Sequence, residues 1–246
     1  MAHPGVIFSV AFGATTLSAM SGGSSSLLTT PAWLALGFPL PTAVGADKVA
    51  GTFWTLVGAR NYLRHRPVDW RLLAGMIGVG LVGAVLGAAV TASVNPGWLK
   101  RVVGGLIVAA VALVAFRPAM AHQQHEPRLS RSVVTAVALP LGFYEGLLGS
   151  GNSIAVTLLL TGGRGFEFLR ALGHYYLMGS VWCGAAAVSY WARGALDPSL
   201  TIPALAGAVA GGYLGSRIGN RLGGPAVRSI FIGAGLILGG KLLLGW

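Results

Sequence analysis

The sequence predicts an all-α fold: a polytopic transmembrane helix bundle of two inverted five-segment repeats, with broken or re-entrant helices meeting at mid-membrane. Three observations predict it. First, only 9% of the 246 residues are charged while 54% are hydrophobic, and the mean hydropathy is +0.72. A soluble surface usually carries about 25% charged residues, so most of this surface faces something other than water. Second, the chain divides into ten apolar runs whose last five repeat the first five at a constant offset of 128 positions. Third, each half contains one pair of short segments interrupted by small residues, at matching places in the repeat.

Taken in order, the segments fall at 5–20, 26–38, 41–63, 69–92 and 98–116, then 131–148, 153–163, 166–192, 199–222 and 225–244. They define a first transmembrane repeat over 1–116, a linker over 117–130 and a second, inverted repeat over 131–246. The linker, with His122, Gln123, Gln124, His125, Glu126 and Pro127, is the stretch that reads as solvated. Crossing the hydrocarbon core takes about 20 helical residues. Segments 3, 4, 5, 8, 9 and 10 reach that length, whereas 1, 2, 6 and 7 fall short. The N-terminus lacks a basic n-region and a cleavage site, so the first segment is expected to be retained. The 39 glycines have no collagen-like period; in membranes they let helix backbones approach closely. Small-residue faces on segments 4 and 9 suit either packing within the chain or a homodimer.

The repeat rests on more than glycine. Sliding by 128 positions pairs Ala43-x-Gly45 with Ala171-x-Gly173, Gly51-Thr52 with Gly179-Ser180, Asp69 with Asp197, and Leu86-Gly87 with Leu214-Gly215. A half with an odd number of crossings inserts its partner upside down. Charge tests this. The loops after segments 3, 5, 7 and 9 hold twelve of the arginines and lysines, from Arg60 to Arg228, and the opposite side holds four: Lys100, Arg101, Arg193 and Lys241. The positive-inside rule then places the linker in the cytoplasm and both termini outside, in a bacterial inner membrane. The pI of about 10.9 is thereby explained by topology, and no basic stripe for nucleic acid is present.

The first break reads Ser21-Gly22-Gly23-Ser24-Ser25-Ser26 and the second Gly149-Ser150-Gly151-Asn152-Ser153. Short, glycine-interrupted segments in corresponding halves mark the binding site of an inverted-repeat transporter. Two such breaks, entering from opposite faces, aim the N-terminal N–H groups and dipole ends of segments 2 and 7 at one point. The serines and Asn152 add donors, an arrangement suited to a small anion. Lys48, two turns into segment 3, is costly at that depth and serves as countercharge to the anion, unless it pairs with adjacent Asp47 or snorkels to the interface. His174 either binds the anion, carries a proton or is a packed core histidine. Glu145 couples protons or neutralises Lys48 or His174; Asp47 is the third candidate for proton coupling. The seven tryptophans are expected in an interfacial belt. Cys183 is alone, so no disulfide framework forms within the chain, and it reads as a small buried apolar residue. No nucleophile elbow, P-loop, HExxH or CxxC occurs, and His122 and His125 lack further ligands. The expectation is no enzyme, no metal and no cofactor.

These residues resemble the sulfite exporter TauE/SafE family. The first break with Pro31 and Leu34 is similar to that family's Gly-x-Gly-Gly-Gly…Pro-x-Leu signature, with serines at some glycine positions. Gly146-x-x-Gly149-x-Gly151-Asn-Ser is similar to its counterpart, without the expected proline, and Asp47-Lys48 stands where the family has small polar residues. Gly211-x-x-x-Gly215-x-Arg217 and Arg228…Gly239-Gly240 complete the likeness. The resemblance implies a secondary transporter, an exporter or importer of small sulfur-containing anions such as sulfite or a sulfoacetate-like organosulfonate. The alternative is a passive channel for small anions or neutral solutes; a non-transporting scaffold leaves two matched breaks unexplained.

Overall fold

The computed structural model describes residues 3–91 and 126–244. Segment 5, most of the linker, Lys100, Arg101, Arg117, the His122/His125 pair, Trp98 and Trp246 lie outside the described residues. Within them the chain is all-helical: α1 Pro4–Ser21, α2 Ser26–Ala35, α3 Leu40–Leu63, α4 Trp70–Val90, α5 Arg131–Leu147, α6 Asn152–Leu158, α7 Phe168–Ala192 and α8 Pro198–Leu244. Helix α6 widens into a π turn over Leu159–Gly163, and α8 is interrupted at Gly223 (φ 80, ψ 168), where the sequence separates segments 9 and 10.

Local chemistry sets the ends. Pro4 occupies the first turn of α1, an 18-residue helix, and the His3 side chain accepts from the Gly5 N–H. At about 27 Å, α1 remains shorter than the roughly 20 residues a full crossing takes. Asp69 caps α4 by accepting from the Leu72 N–H, and Asp197, its repeat partner, accepts from the Ser199 N–H at the start of α8. Ser130 caps α5 and Glu167 caps α7. Helix α2, with 10 residues, is only about 15 Å long, half the hydrocarbon core.

Helix directions follow from which residues meet. Along the α1–α8 contact, Gly207, Gly211, Gly215 and Gly219 lie against Phe8, Phe12, Thr16 and Met20 in turn, so the two helices run parallel. Between α4 and α5, Gly75 meets Thr135, Gly83 meets Leu139, and Gly87 meets Phe143 and Leu147, again parallel. Between α3 and α7 the order reverses: Gly45 meets Tyr190, Gly51 meets Cys183 and Gly58 meets Tyr176. These central helices are antiparallel. A Cβ at Gly83 or Gly87 would overlap a backbone carbonyl of α5, and one at Gly211 or Gly215 a carbonyl of α1. The small-residue faces of segments 4 and 9 are therefore occupied within the chain. In lipid, where apolar helices gain nothing by leaving their solvent, such close contact supplies the van der Waals energy that holds helices together.

The outer surface is apolar: Phe53, Leu56, Val82, Leu86, Val188, Ile202 and Leu214 are all exposed. Polar ties gather at one end. Arg66 donates to Glu167 (3.2 Å) and to Asn220 (2.9 Å), Arg131 pairs with Asp69 (3.1 Å), and Arg164 donates to the Leu129 carbonyl (2.8 Å). The loops after α3 and α6, the start of α5 and residue 220 of α8 thus share one end of the bundle. The tryptophans divide. Trp70 and Trp191 are exposed at helix ends, but Trp33, Trp54 and Trp182 are buried, correcting the expected belt. Glycine is the reason for Trp54 and Trp182, whose rings fill the space left by Gly212 and Gly80.

Candidate functional site

Both breaks begin with a helix that stops at a left-handed glycine. Gly22 (φ 78) ends α1, with its N–H and that of Gly23 bonded to the Ser18 carbonyl. After α5, Gly149 (φ 72) and Gly151 (φ 81) take the same conformation, with the Gly149 N–H on the Tyr144 carbonyl. Only glycine adopts it freely, so each chain reversal is encoded locally. Related tyrosines fasten the two stops. Tyr62 donates to the Ala19 carbonyl (2.8 Å), and Tyr190, 128 positions later, donates to the Gly146 carbonyl (3.1 Å).

The breaks touch. The Ser24 hydroxyl donates to the Gly149 carbonyl (3.2 Å), and the Ser150 hydroxyl donates to Ser26 Oγ (3.3 Å), itself 2.8 Å from Ser24 Oγ. Beside this junction lies an ion pair, Lys48 Nζ to Glu145 Oε1 at 2.7 Å, with both residues at most 3% exposed. A Cβ at Gly149 would overlap both charged atoms, so the glycine roofs the pair as well as turning the chain. The Glu145 carboxylate is fully furnished with donors. Oε1 also faces Cys183 Sγ (3.3 Å), and Oε2 accepts from Asn152 Nδ2 (2.8 Å) and Tyr175 OH (3.2 Å). Lys48 is not: its ammonium has three N–H donors, and Glu145 is the one side-chain or backbone acceptor it reaches among the described residues.

Asp47 does not pair with Lys48. Its side chain turns to α2, accepting from Thr30 Oγ1 (2.6 Å) and Trp33 Nε1 (2.9 Å). Adjacent residues on a helix point about 100° apart, which separates the two charges. His174 does not join the breaks either. Its Nε2 accepts from the Asp69 N–H (3.0 Å), its Nδ1 lies 2.7 Å from the Arg170 carbonyl, and Phe166 meets its ring edge-on. A carbonyl can only accept and a backbone N–H only donate, so the histidine carries its proton on Nδ1 and locks the loop before α4 to α7. The expectation of an amide donor from Asn152 also changes: its NH₂ is committed to Glu145 and the Leu141 carbonyl (3.1 Å). Asn152 Oδ1, Ser153 Oγ and Thr157 Oγ1 have no hydrogen-bond partner among the described residues and are fully buried. Ser21 is bonded back to Ser18, and Ser25 makes no capping bond through its side chain.

Tyr175, Cys183, Thr30 and Trp33 are the residues of this polar centre that sequence reasoning passed over. The repeat alignment, which sets Tyr175 opposite Asp47, was the one available signal. Cys183 is buried, as expected of a small apolar residue, and its thiol also faces the Glu145 carboxylate.

A family model described as Sulfite exporter TauE/SafE matches residues 7–242. The chain is 29% identical over 70% of its length to a "Probable membrane transporter protein" of Haemophilus influenzae, covering 68% of that protein. It is 30% identical over 68% of its length to a "Probable membrane transporter protein ORF9" of Sinorhizobium, covering 64% of it. The "Probable membrane transporter protein YfcA" of Escherichia coli K12 is 23% identical over 71% of the chain and is covered over 65% of its own length. With a helical bundle, an apolar outer surface and a match over nearly its whole length, the chain belongs to the sulfite exporter TauE/SafE family of membrane transporters.

Proposed function

We propose that the chain is a secondary transporter, operating as an exporter, of small sulfur-containing anions such as sulfite or a sulfoacetate-like organosulfonate. It works by alternating access around the junction of the two breaks. The observation that carries this reading is the buried Lys48 ammonium at that junction, with N–H donors beyond the one given to Glu145. A fully buried cation in a membrane helix is expensive and marks function. Here it lies beside glycine-turned backbone and the hydroxyls of Ser24, Ser26 and Ser150, groups that an oxyanion can use.

The carrier mechanism draws on two inverted repeats with re-entrant breaks. The antiparallel run of α3 against α7, which occupy equivalent places in the two halves, supports inversion; equivalent helices related by an axis along the membrane normal would run parallel. The crossed pairing supports it again, since α1 lies on α8 and α5 on α4, each first helix packing on the fourth segment of the other half. With the arginine-rich end cytoplasmic, the termini face the periplasm of a bacterial inner membrane. Lys48 and Glu145 belong to different halves, so rocking one repeat against the other pulls the pair open toward one face at a time.

Counterflow in proteoliposomes tests the reading. A carrier preloaded with unlabelled sulfite or sulfoacetate accumulates labelled substrate transiently; a passive channel does not. Lys48→Ala should abolish substrate binding, and unchanged binding and flux in that variant would remove Lys48 from the site.

A further inference from the structure

We propose that the Glu145 carboxylate is a tethered stand-in for the substrate anion, and that each monovalent anion displaces it from Lys48 by entering together with one proton, which Glu145 receives. This rests on the reading of the junction as the substrate site.

The charges at the junction argue for it. Lys48 and Glu145 cancel, and Asp47 is turned away and held by Thr30 and Trp33. An anion added to a neutral, buried centre leaves one uncompensated negative charge, which a low-dielectric interior strongly disfavours. A proton on Glu145 restores neutrality, with Lys48 and the anion as the remaining pair. The transfer balances simply. A proton passes from water to Glu145 Oε1, the Lys48 hydrogen bond passes from Oε1 to an oxygen of the anion, and no covalent bond of the substrate changes.

The surroundings accommodate both forms of Glu145. Oε2 keeps its donors from Asn152 and Tyr175 whether or not the acid is protonated. A proton on Oε1 finds Cys183 Sγ at 3.3 Å, and sulfur is a weak acceptor. The titratable and charged groups facing Glu145 are Lys48 from α3 and Tyr175 and Cys183 from α7. On its own helix, Tyr144 donates to the Ser150 carbonyl. From α6 comes the neutral Asn152, and Thr91, beyond the end of α4, donates to the Leu147 carbonyl or shares a bond with Tyr190. His174 is bonded elsewhere. Glu145 is thus the acid placed to take the proton. A dianion such as sulfate would need a second proton acceptor beside Lys48, and the junction has none among the described residues; monoanions are the substrate class.

The test is calorimetry on the intact wild-type protein, titrated with a sulfonate, whose own proton leaves far below neutral pH. Titrations in two buffers of different ionisation heat count the protons taken up. The proposal expects about one proton per bound anion, and a dissociation constant that rises about tenfold per pH unit. It also expects Glu145→Gln to bind with neither proton uptake nor pH dependence. Binding without proton uptake in the wild type overturns the inference and leaves the site reading standing. Absence of binding by any sulfur oxyanion overturns both. Tighter binding of sulfate than of the sulfonate overturns the monoanion class.

Discussion

Replacing Gly149 by alanine separates the two tasks this residue performs. Its φ of +72 lies in the left-handed region, where a Cβ costs roughly 1–2 kcal/mol. In addition, that Cβ would overlap Lys48 Nζ and Glu145 Oε1. Overpacking of a dense interior costs about 1–3 kcal/mol, so the total is roughly 2–5 kcal/mol. Gly194 supplies the control. Its φ of +68 is nearly the same, yet a Cβ there meets nothing within 4 Å, so Gly194→Ala carries the backbone cost alone. For a chain of this size each kcal/mol shifts the melting temperature by about 2–4 °C. Gly149→Ala should therefore melt roughly 2–12 °C below Gly194→Ala in a thermal-shift assay of purified protein. Its anion affinity should fall too, because the Lys48–Glu145 pair must move. If the two variants melt together, the cavity over the ion pair tolerates a methyl group and the argument that Gly149 roofs the site fails.

Two further outcomes are expected. Gly83→Ala drives a Cβ into the Leu139 carbonyl and should destabilise by about 1–3 kcal/mol. Gly78→Ala, on the open face of the same helix with nothing near its Cβ, should stabilise by about 0.5–1 kcal/mol; equal effects in a melting assay would disprove the close α4–α5 contact. His174→Ala leaves the Asp69 N–H without its acceptor and should cost about 1–3 kcal/mol, with calorimetric anion affinity unchanged. A loss of affinity without a loss of stability would return His174 to the binding site.

The described helices and the two breaks between them were legible in the sequence because each is written in local terms. Six of the ten hydrophobic runs have the length of a bilayer, and a glycine-containing stretch of small residues interrupts each half. Gly22, Gly149 and Gly151 do take left-handed φ values, as a chain reversal between two helices requires. The gathering of the arginine loops at one end was likewise readable, since it follows from counting crossings.

The partners of the polar side chains were decided only by tertiary structure. Lys48 and Glu145 are 97 positions apart, and nothing local favours that pair over Lys48 with its neighbour Asp47. Helix geometry reverses the preference: Asp47 faces α2, while α3 and α5, both packed against α7, bring Glu145 to Lys48. His174 is drawn to Asp69 by the packing of α7 on the loop before α4, and Trp182 enters the core because Gly80 leaves room for an indole. Hydrophobic periodicity, which the sequence carries in one dimension, marked the helices; side-chain pairing depends on which helix faces meet, and that exists only once the helices have packed.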